Sequence, residues 1–141
     1  MTALTAPKNT RWKCAELLPF PVDANTRIYE GGILRLAAGL VSPAIAGAGR
    51  ENDLIIGIAD QSVNNNPGTA AARTCLVRMP GPVNLFLLAA GADLANADIG
   101  TLFDVMDDQT VQAATANAPV AGRLLQIEAA RLGWFDLTVR N

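Results

Sequence analysis

Short apolar runs separated by turn-forming residues make up most of the chain after residue 27, and this pattern constrains the fold more than any other feature. Ile33–Ala37 and Leu40–Ala44 flank Ala38-Gly39, a pair suited to a tight hairpin turn. Asp107-Asp108 separates two further runs, since short acidic side chains hydrogen-bond their own backbone in turns. Strands are also predicted over residues 54–60, 73–79, 101–106, 110–115, 123–129 and 133–141. We therefore predict a mainly β fold, a small β-barrel or β-sandwich with an extended N-terminal arm and at most one or two short helices.

The sequence leaves two possible local conformations at two places in these runs. Gly57 lies inside a predicted strand, where glycine often marks a bulge or the bend at a barrel corner. Leu85–Leu88 is either a strand or one buried helical turn, because so short an apolar run has no decisive periodicity. We expect a short helix around Ala89–Ala97, before the next strand begins.

An internal similarity links the two halves of the chain. GILRLAAGLVSPA followed by LIIGIADQSV occurs in the first half, and GTLFDVMDDQTVQAA followed by VAGRLLQIEA occurs in the second. Each half runs through a glycine, an apolar strand, a turn, a valine-bearing strand, a loop and a last strand with Gly57 inside it or Gly122 near its start. This pattern predicts two similar β units that close into one barrel or sandwich.

Residues 1–27 differ from the rest, and we predict an extended N-terminal arm there, followed by a body of residues 28–141. Pro7, Pro19 and Pro21 disfavour helix and favour extended backbone. The arm is either a loose terminus or, because its apolar residues favour leaving water, a segment that docks on the body or on a neighbouring molecule. The arm residues expected at an interface are Lys8, Arg11, Trp12, Lys13, Leu17, Leu18 and Phe20.

Arg123 is the candidate contact residue outside the arm, and it has two interpretations. Arginine is enriched at protein interfaces, so Arg123 is a candidate for contact with another chain. A charge on an edge strand also prevents unwanted strand pairing, which is the second interpretation. The sequence does not distinguish between them.

Composition excludes several classes of function. The formal net charge is −2, which disfavours a nucleic-acid-binding protein, since such a protein needs a basic face against phosphates. The sequence is 50% hydrophobic but only 5% aromatic, and small aliphatic side chains make poor walls for a large ligand pocket. The N-terminus has no basic segment followed by an apolar one, so we expect no secretion signal and synthesis in the cytoplasm.

The residues for common catalytic chemistry are missing or isolated. The chain contains no histidine, which removes the usual general base and the usual metal ligand. Asp104, Asp107 and Asp108 lack the spacing of a calcium loop, and a hairpin turn accounts for two of them. Cys14 and Cys75 are expected to be idle thiols, although a disulfide is possible in an oxidising compartment. We predict no catalytic site, metal or cofactor, and expect a function in protein contact.

The C-terminal half resembles that of small capsid decoration, or cement, proteins of tailed bacteriophages. In that family a glycine-led strand, an acidic turn, a Thr-Val strand, a loop with asparagine and an Ala-Gly-Arg strand follow one another. The matching positions here are Gly100, Asp107-Asp108, Thr110-Val111, Asn117, Ala121-Gly122-Arg123 and Leu137–Val139.

The resemblance implies a β-barrel or β-sandwich on the outer surface of a phage head. It implies the major capsid protein as the partner, a homotrimer as the assembly state and the virion as the final location. Two alternatives remain: another virion component, such as a head fibre base or a tail part, or a small ligand-binding β module.

Overall fold

β-Strands dominate the computed structural model, which describes residues 5–7, 16–81 and 84–138. The predicted mainly β fold is confirmed. The strands are β1 (Leu17–Pro21), β2 (Thr26–Ile28), β3 (Ile33–Ala37), β4 (Leu40–Pro43), β5 (Leu54–Ala59), β6 (Val63–Asn65), β7 (Thr74–Arg78), β8 (Phe86–Ala90), β9 (Leu102–Val105), β10 (Thr110–Ala113), β11 (Val120–Ala129) and β12 (Leu132–Asp136). A single 3₁₀ turn, Asn96–Asp98, is the helical element among the described residues, and none of their helices is long and apolar enough to cross a membrane.

The first half of the chain forms a five-stranded sheet in the order β1-β7-β5-β3-β4. A parallel bridge between Val22 and Val41 brings β1 and β4 together, so this sheet curls into a nearly closed barrel. The predicted hairpin between β3 and β4 is confirmed, and both turn residues, Ala38 and Gly39, have positive φ angles of 52° and 79°. The strands β2 and β6 form a separate two-stranded sheet.

The second half of the chain forms a closed five-stranded barrel in the order β10-β8-β12-β11-β9. The predicted hairpin of β9 and β10 is confirmed, and the Asp107 carboxylate accepts the Gln109 backbone N–H at 2.9 Å in its turn. A parallel pairing of β10 with β8 completes the ring. The two sequence units therefore build a barrel each and do not close into one common barrel.

The two barrels have the same strand order, which pairs β1, β7, β5, β3 and β4 with β8, β12, β11, β9 and β10. Individual hydrogen bonds recur at matching positions. The Gly31 N–H donates to the Ala59 carbonyl at 2.9 Å, and the Gly100 N–H donates to the Leu124 carbonyl at 2.7 Å. Other matched N–H to C=O pairs are Val22–Arg73 with Ala90–Arg131, Asp23–Val41 with Gly91–Val111, and Ala59–Gly32 with Leu124–Thr101.

A β-bulge occurs at the same place in both barrels. The register of β3 with β5 shifts beside Gly57 and leaves Ile56 as the extra residue. The register of β9 with β11 shifts beside Gly122 and leaves Ala121 as the extra residue. The bulge predicted at Gly57 is thus confirmed, and the sequence similarity between the halves corresponds to a repeated fold.

Both bulge positions require glycine, because the backbone of the neighbouring strand passes very close to them. A Cβ atom at Gly57 would overlap the carbonyl oxygen of Arg78 on β7. A Cβ atom at Gly122 would overlap the carbonyl oxygen of Asp136 on β12. Only glycine lets the strands approach this closely at the bend.

The core consists of two clusters, one for each barrel, and the second extends between them. Ile33, Ala44 and Ile55 come from the first half but pack in the second cluster, which joins the barrels. Backbone hydrogen bonds also link them, from Ile33 to Asp108 at 2.7 Å and from Gly47 to Asn117 at 2.7 Å. The first cluster contains Val22, Ile28, Leu34, Val41, Ile56, Ala59, Cys75 and Val77, and the second also contains Leu88, Ala90, Phe103, Val105, Val111, Ala121, Leu124, Phe135 and Leu137.

The arm prediction needs a correction over residues 17–27. Leu17–Pro21 is extended, but as strand β1 it pairs with β7 inside the first sheet, and Val22 is fully buried. The predicted boundary at residue 27 falls inside β2, so the body includes this segment. The physical reason lies in Pro19 and Pro21, which resemble breakers in sequence but are tolerated in a strand on the side without a hydrogen-bonded neighbour.

The predicted helix at Ala89–Ala97 is wrong. Phe86–Ala90 is strand β8, because β12 pairs with it along its length. The only helical backbone in this stretch is the 3₁₀ turn Asn96–Asp98, where the Asp98 carboxylate accepts the Ala95 N–H at 2.8 Å. Pairing with β12 therefore decides the structure that the sequence left open.

Candidate binding surface

Apolar side chains lie on the outer face of the second barrel. Leu87 of β8 is opposite Trp134 of β12, and each points away from the core. Leu125 is the extra residue where β11 shifts register against β12, and it is 43% exposed. Leu85, two residues before Leu87, is 40% exposed. We call Leu85, Leu87, Leu125 and Trp134 the outer patch.

The outer patch is built by strand alternation. Phe86 and Leu88 face inward and pack in the second cluster, so their neighbours Leu85 and Leu87 face outward. In β11, Leu124 is fully buried and Leu125 is turned to solvent beside it. The Trp134 indole N–H donates to the Glu128 carboxylate at 3.0 Å, which holds its ring on the surface.

The sequence contained a signal for this surface that our predictions missed. A half-buried strand alternates apolar and polar residues, but Leu87-Leu88 and Leu124-Leu125 are doublets with one leucine on each face. One leucine of each doublet, Leu87 in the first and Leu125 in the second, therefore lies outside the core. Doublets in short strands therefore point to a contact surface.

The predicted site residues of the arm are divided by the structure. Lys8, Arg11, Trp12 and Lys13 lie outside the described residues. Leu17, Leu18 and Phe20 lie on β1, where Phe20 packs against the core of the first barrel and Leu17 is 38% exposed. Their part in an interface stays a prediction.

Arg123 lies in the second barrel, on a different sheet from the β1 residues. It is opposite Asp136 of β12 on one side and Leu102 of β9 on the other, so β11 is not an edge strand here. The edge-charge interpretation is therefore wrong. Its guanidinium donates to the Gly100 carbonyl, and its role in contact with another chain stays a prediction.

A cleft of about 460 Å³ opens beside the end of β8 in the second barrel. Its walls are mainly small or apolar, including Ala90, Gly91 and Phe103. The two carboxylates at the cleft have partners inside the protein. Asp93 pairs with Arg131 at 2.8 Å, and Asp98 accepts the Ala95 N–H. These carboxylates hold the loop in place, which accounts for their position without a ligand.

The three aspartates near the β9–β10 hairpin serve different backbone groups. Asp104 is buried and accepts the Thr115 N–H at 2.6 Å, whereas Asp107 caps the turn. Burial raises the pKa of Asp104, and the hydrogen bond from Thr115 partly opposes that rise. Within the described ranges there is no group of three or more His, Cys, Asp or Glu side chains able to hold a metal ion.

Cys75 is buried in the first barrel, with its Sγ 3.6 Å from the Gln61 carbonyl oxygen. Burial raises the pKa of its thiol, which keeps it protonated and poorly nucleophilic. This agrees with the predicted idle thiol. Cys14 lies outside the described residues.

Fold and surface together define a two-barrel β protein with an apolar outer patch. Comparisons with protein-family models, curated proteins and solved structures gave no match to the chain. Its function is therefore argued from its own residues.

Proposed function

We propose that this chain is a capsid decoration protein that binds the outer surface of a phage head and stabilises contacts between capsid subunits. The outer patch carries the proposal. Leu87 and Leu125 are 42% and 43% exposed, and a group of apolar side chains beside a tryptophan is typical of protein contact surfaces. The resemblance of the C-terminal half to decoration proteins supports the choice of partner.

Repeated weak contacts suit this surface. The outer patch is small, and a single contact of this size gives modest affinity. A capsid presents many identical sites, so binding that favours the assembled shell stabilises it through linkage. The net charge of the chain is −2, which disfavours binding to the packaged nucleic acid.

The test of this function compares binding partners. The native mass of the protein is measured by light scattering, followed by co-sedimentation with expanded empty shells and with free capsid subunits of the phage that encodes it. We expect binding to shells, little binding to free subunits, and a higher melting temperature of decorated shells. Formation of rings or tubes by the protein alone, without shell binding, would favour a tail or fibre component instead.

Leu125→Asp tests the outer patch directly. A carboxylate placed among Leu87 and Trp134 must lose water on contact, so we expect at least a tenfold loss of shell affinity with an unchanged fold. Ile45→Asp is the matched control, because Ile45 is 49% exposed and is not part of the outer patch. Equal shell binding by the two variants would exclude the outer patch as the contact.

A further inference from the structure

The two barrels differ at the end where strand β2 packs against the first of them. In the first barrel β2 contacts β4, and its Ile28 is only 1% exposed in the core cluster. Ile28 precedes Gly31 by three residues, and the recurring backbone hydrogen bonds match Gly31 to Gly100. The position that corresponds to Ile28 is therefore Ala97, which is exposed. The second barrel thus has a short, exposed alanine where the first has a buried isoleucine.

The cleft of the second barrel lies where this isoleucine is missing. The core cluster of Ile28 also contains Val22, Leu34 and Val41. The matched hydrogen bonds and the registers of the two hairpins pair these three residues with Ala90, Phe103 and Val111. All three counterparts line the cleft of about 460 Å³. They surround an open space, whereas the corresponding residues of the first barrel pack in one cluster with an aliphatic side chain.

The loop after β8 closes this end of the second barrel incompletely. Its Leu94 packs against the second cluster and lines the cleft, but it is only partly buried. The 3₁₀ turn Asn96–Asp98 contributes no buried residue. Ligand sites commonly have volumes of about 300–1,000 Å³ and mainly apolar walls. The cleft therefore has the size and the lining to receive an aliphatic group.

The rim of the cleft offers backbone groups to an extended peptide. Ala92 and Ala114 line the cleft, are exposed, and follow the ends of β8 and β10. Among the residues that the structure describes, neither forms a backbone hydrogen bond. The carboxylates of Asp93 and Asp98 already have partners within the protein. Amides and carbonyls beside apolar walls suit a peptide, whose own backbone hydrogen-bonds to them, better than a simple hydrocarbon.

We propose that this cleft is a peptide-binding site, which receives an isoleucine or valine side chain from an extended segment of a partner protein. The first barrel shows the form of the occupant, since β2 is a three-residue strand that ends in Ile28. Burial of the aliphatic side chain supplies affinity, and the backbone at Ala92 and Ala114 orients the segment. The inference goes beyond the proposed function, because the cleft shares no residue with the outer patch.

The first experiment uses a synthetic peptide with the sequence of residues 24–30, ANTRIYE, capped at both ends. The peptide is titrated into the isotope-labelled full chain, and NMR follows the methyl signals of Ala90 and Val111. We expect saturable shifts of both signals, and at least about tenfold weaker binding of the Ile28→Asp peptide, because it has no aliphatic side chain to bury. Equal binding of the two peptides, or shifts confined to the first barrel, would overturn the inference.

The second experiment compares Ala114→Phe with Ala116→Phe in the full chain. Both alanines are exposed in the loop after β10, but Ala114 lines the cleft and Ala116 does not. A phenyl ring at position 114 obstructs the cleft, so we expect at least about tenfold weaker peptide binding, whereas Ala116→Phe should bind as the unmodified protein does. Circular dichroism shows whether both variants keep the fold. Equal peptide binding by the two folded variants would place the peptide elsewhere and overturn the inference.

Other occupants of the cleft give different results. Isobutanol that shifts the Ala90 and Val111 methyl signals as strongly as the peptide, at equal concentration, would assign the cleft to small apolar molecules and overturn the peptide. A dimer in light scattering that Ala114→Phe alone returns to a monomer would place a second copy in the cleft and overturn the separate partner. None of these measurements involves shells, so their failure leaves the proposed function standing.

Discussion

Two glycines show how closely single residues determine this fold. Gly57 and Gly122 let a strand pass against the carbonyls of Arg78 and Asp136, where a Cβ would overlap backbone. We expect Gly57→Ala and Gly122→Ala each to lower the free energy of unfolding by about 1–3 kcal/mol, since the backbone must shift to make room. Chemical denaturation measures the change.

Gly81→Ala is the matched control for these substitutions. Among the residues that the structure describes, a Cβ at Gly81 would meet only the Asn84 Nδ2 atom at 3.9 Å, which is an ordinary contact. The free energy of unfolding should therefore stay within about 0.5 kcal/mol of the unmodified protein. A loss at Gly81 as large as that at Gly122 would show that close approach is not the cause.

Asp104 gives a prediction for the pH dependence of stability. Burial raises its pKa from the usual 3.8, so the folded state holds the proton more tightly than the unfolded state does. The stabilising contribution is complete below pH 3.8 and is lost as the pH rises through the folded pKa. Asp104→Asn keeps an oxygen for the Thr115 N–H but has no charge, so its stability should lack this loss.

Denaturation curves at a series of pH values check the Asp104 prediction. The difference in free energy of unfolding between Asp104→Asn and the unmodified protein should shift in favour of the variant with rising pH and then level off. A constant difference from pH 3 to 8 would mean that Asp104 does not titrate differently in the folded state.

At the scale of elements, strand β8 places two adjacent leucines on opposite faces, one in the core and one in the outer patch. Leu88 is 6% exposed and Leu87 is 42% exposed. Leu88→Ala should cost about 2–5 kcal/mol of stability because it leaves a cavity, whereas Leu87→Ala should cost within about 0.5 kcal/mol. Similar losses for both variants, measured by urea denaturation, would contradict the assigned strand orientation.

The sequence predicted correctly those turns and bulges whose backbone conformation is determined by their own residues. Ala38-Gly39 and Asp107-Asp108 form turns through their own conformations and hydrogen bonds, and Gly57 marks a bulge, so these features were predictable. Leu85–Leu88 was not, because apolar residues occupy both of its faces and hide the two-residue period. β1 was missed because Pro19 and Pro21 disrupt the usual strand pattern, although they are harmless on the side of the strand that faces away from β7.

Little of the candidate site could be predicted from the sequence. The outer patch depends on the register of β8, β12 and β11, which brings Leu87, Trp134 and Leu125 together from positions up to 47 residues apart. Register is a tertiary property that no local pattern encodes. The position of Arg123 between two paired strands was not foreseen either.

At the scale of the whole molecule, the two barrels should unfold together. Ile55 belongs to the first barrel and is buried in the core cluster of the second, so it couples them. We expect one cooperative transition, and Ile55→Ala should lower the free energy of unfolding by about 2–5 kcal/mol. Hydrogen exchange of amides in both barrels measures this, since the variant should speed exchange in each. Faster exchange confined to the first barrel would show that they unfold independently.

The prolines of β1 also limit the pairing of this strand with strands from other copies of the chain. A molecule with two equivalent open edges is able to add a strand at each and so to link copies into a continuing chain. Pro19 and Pro21 have no backbone N–H on the side of β1 that faces away from β7, so that side offers no donor at these positions to a further strand. The first barrel is thereby protected against edge-to-edge pairing of copies into a fibre.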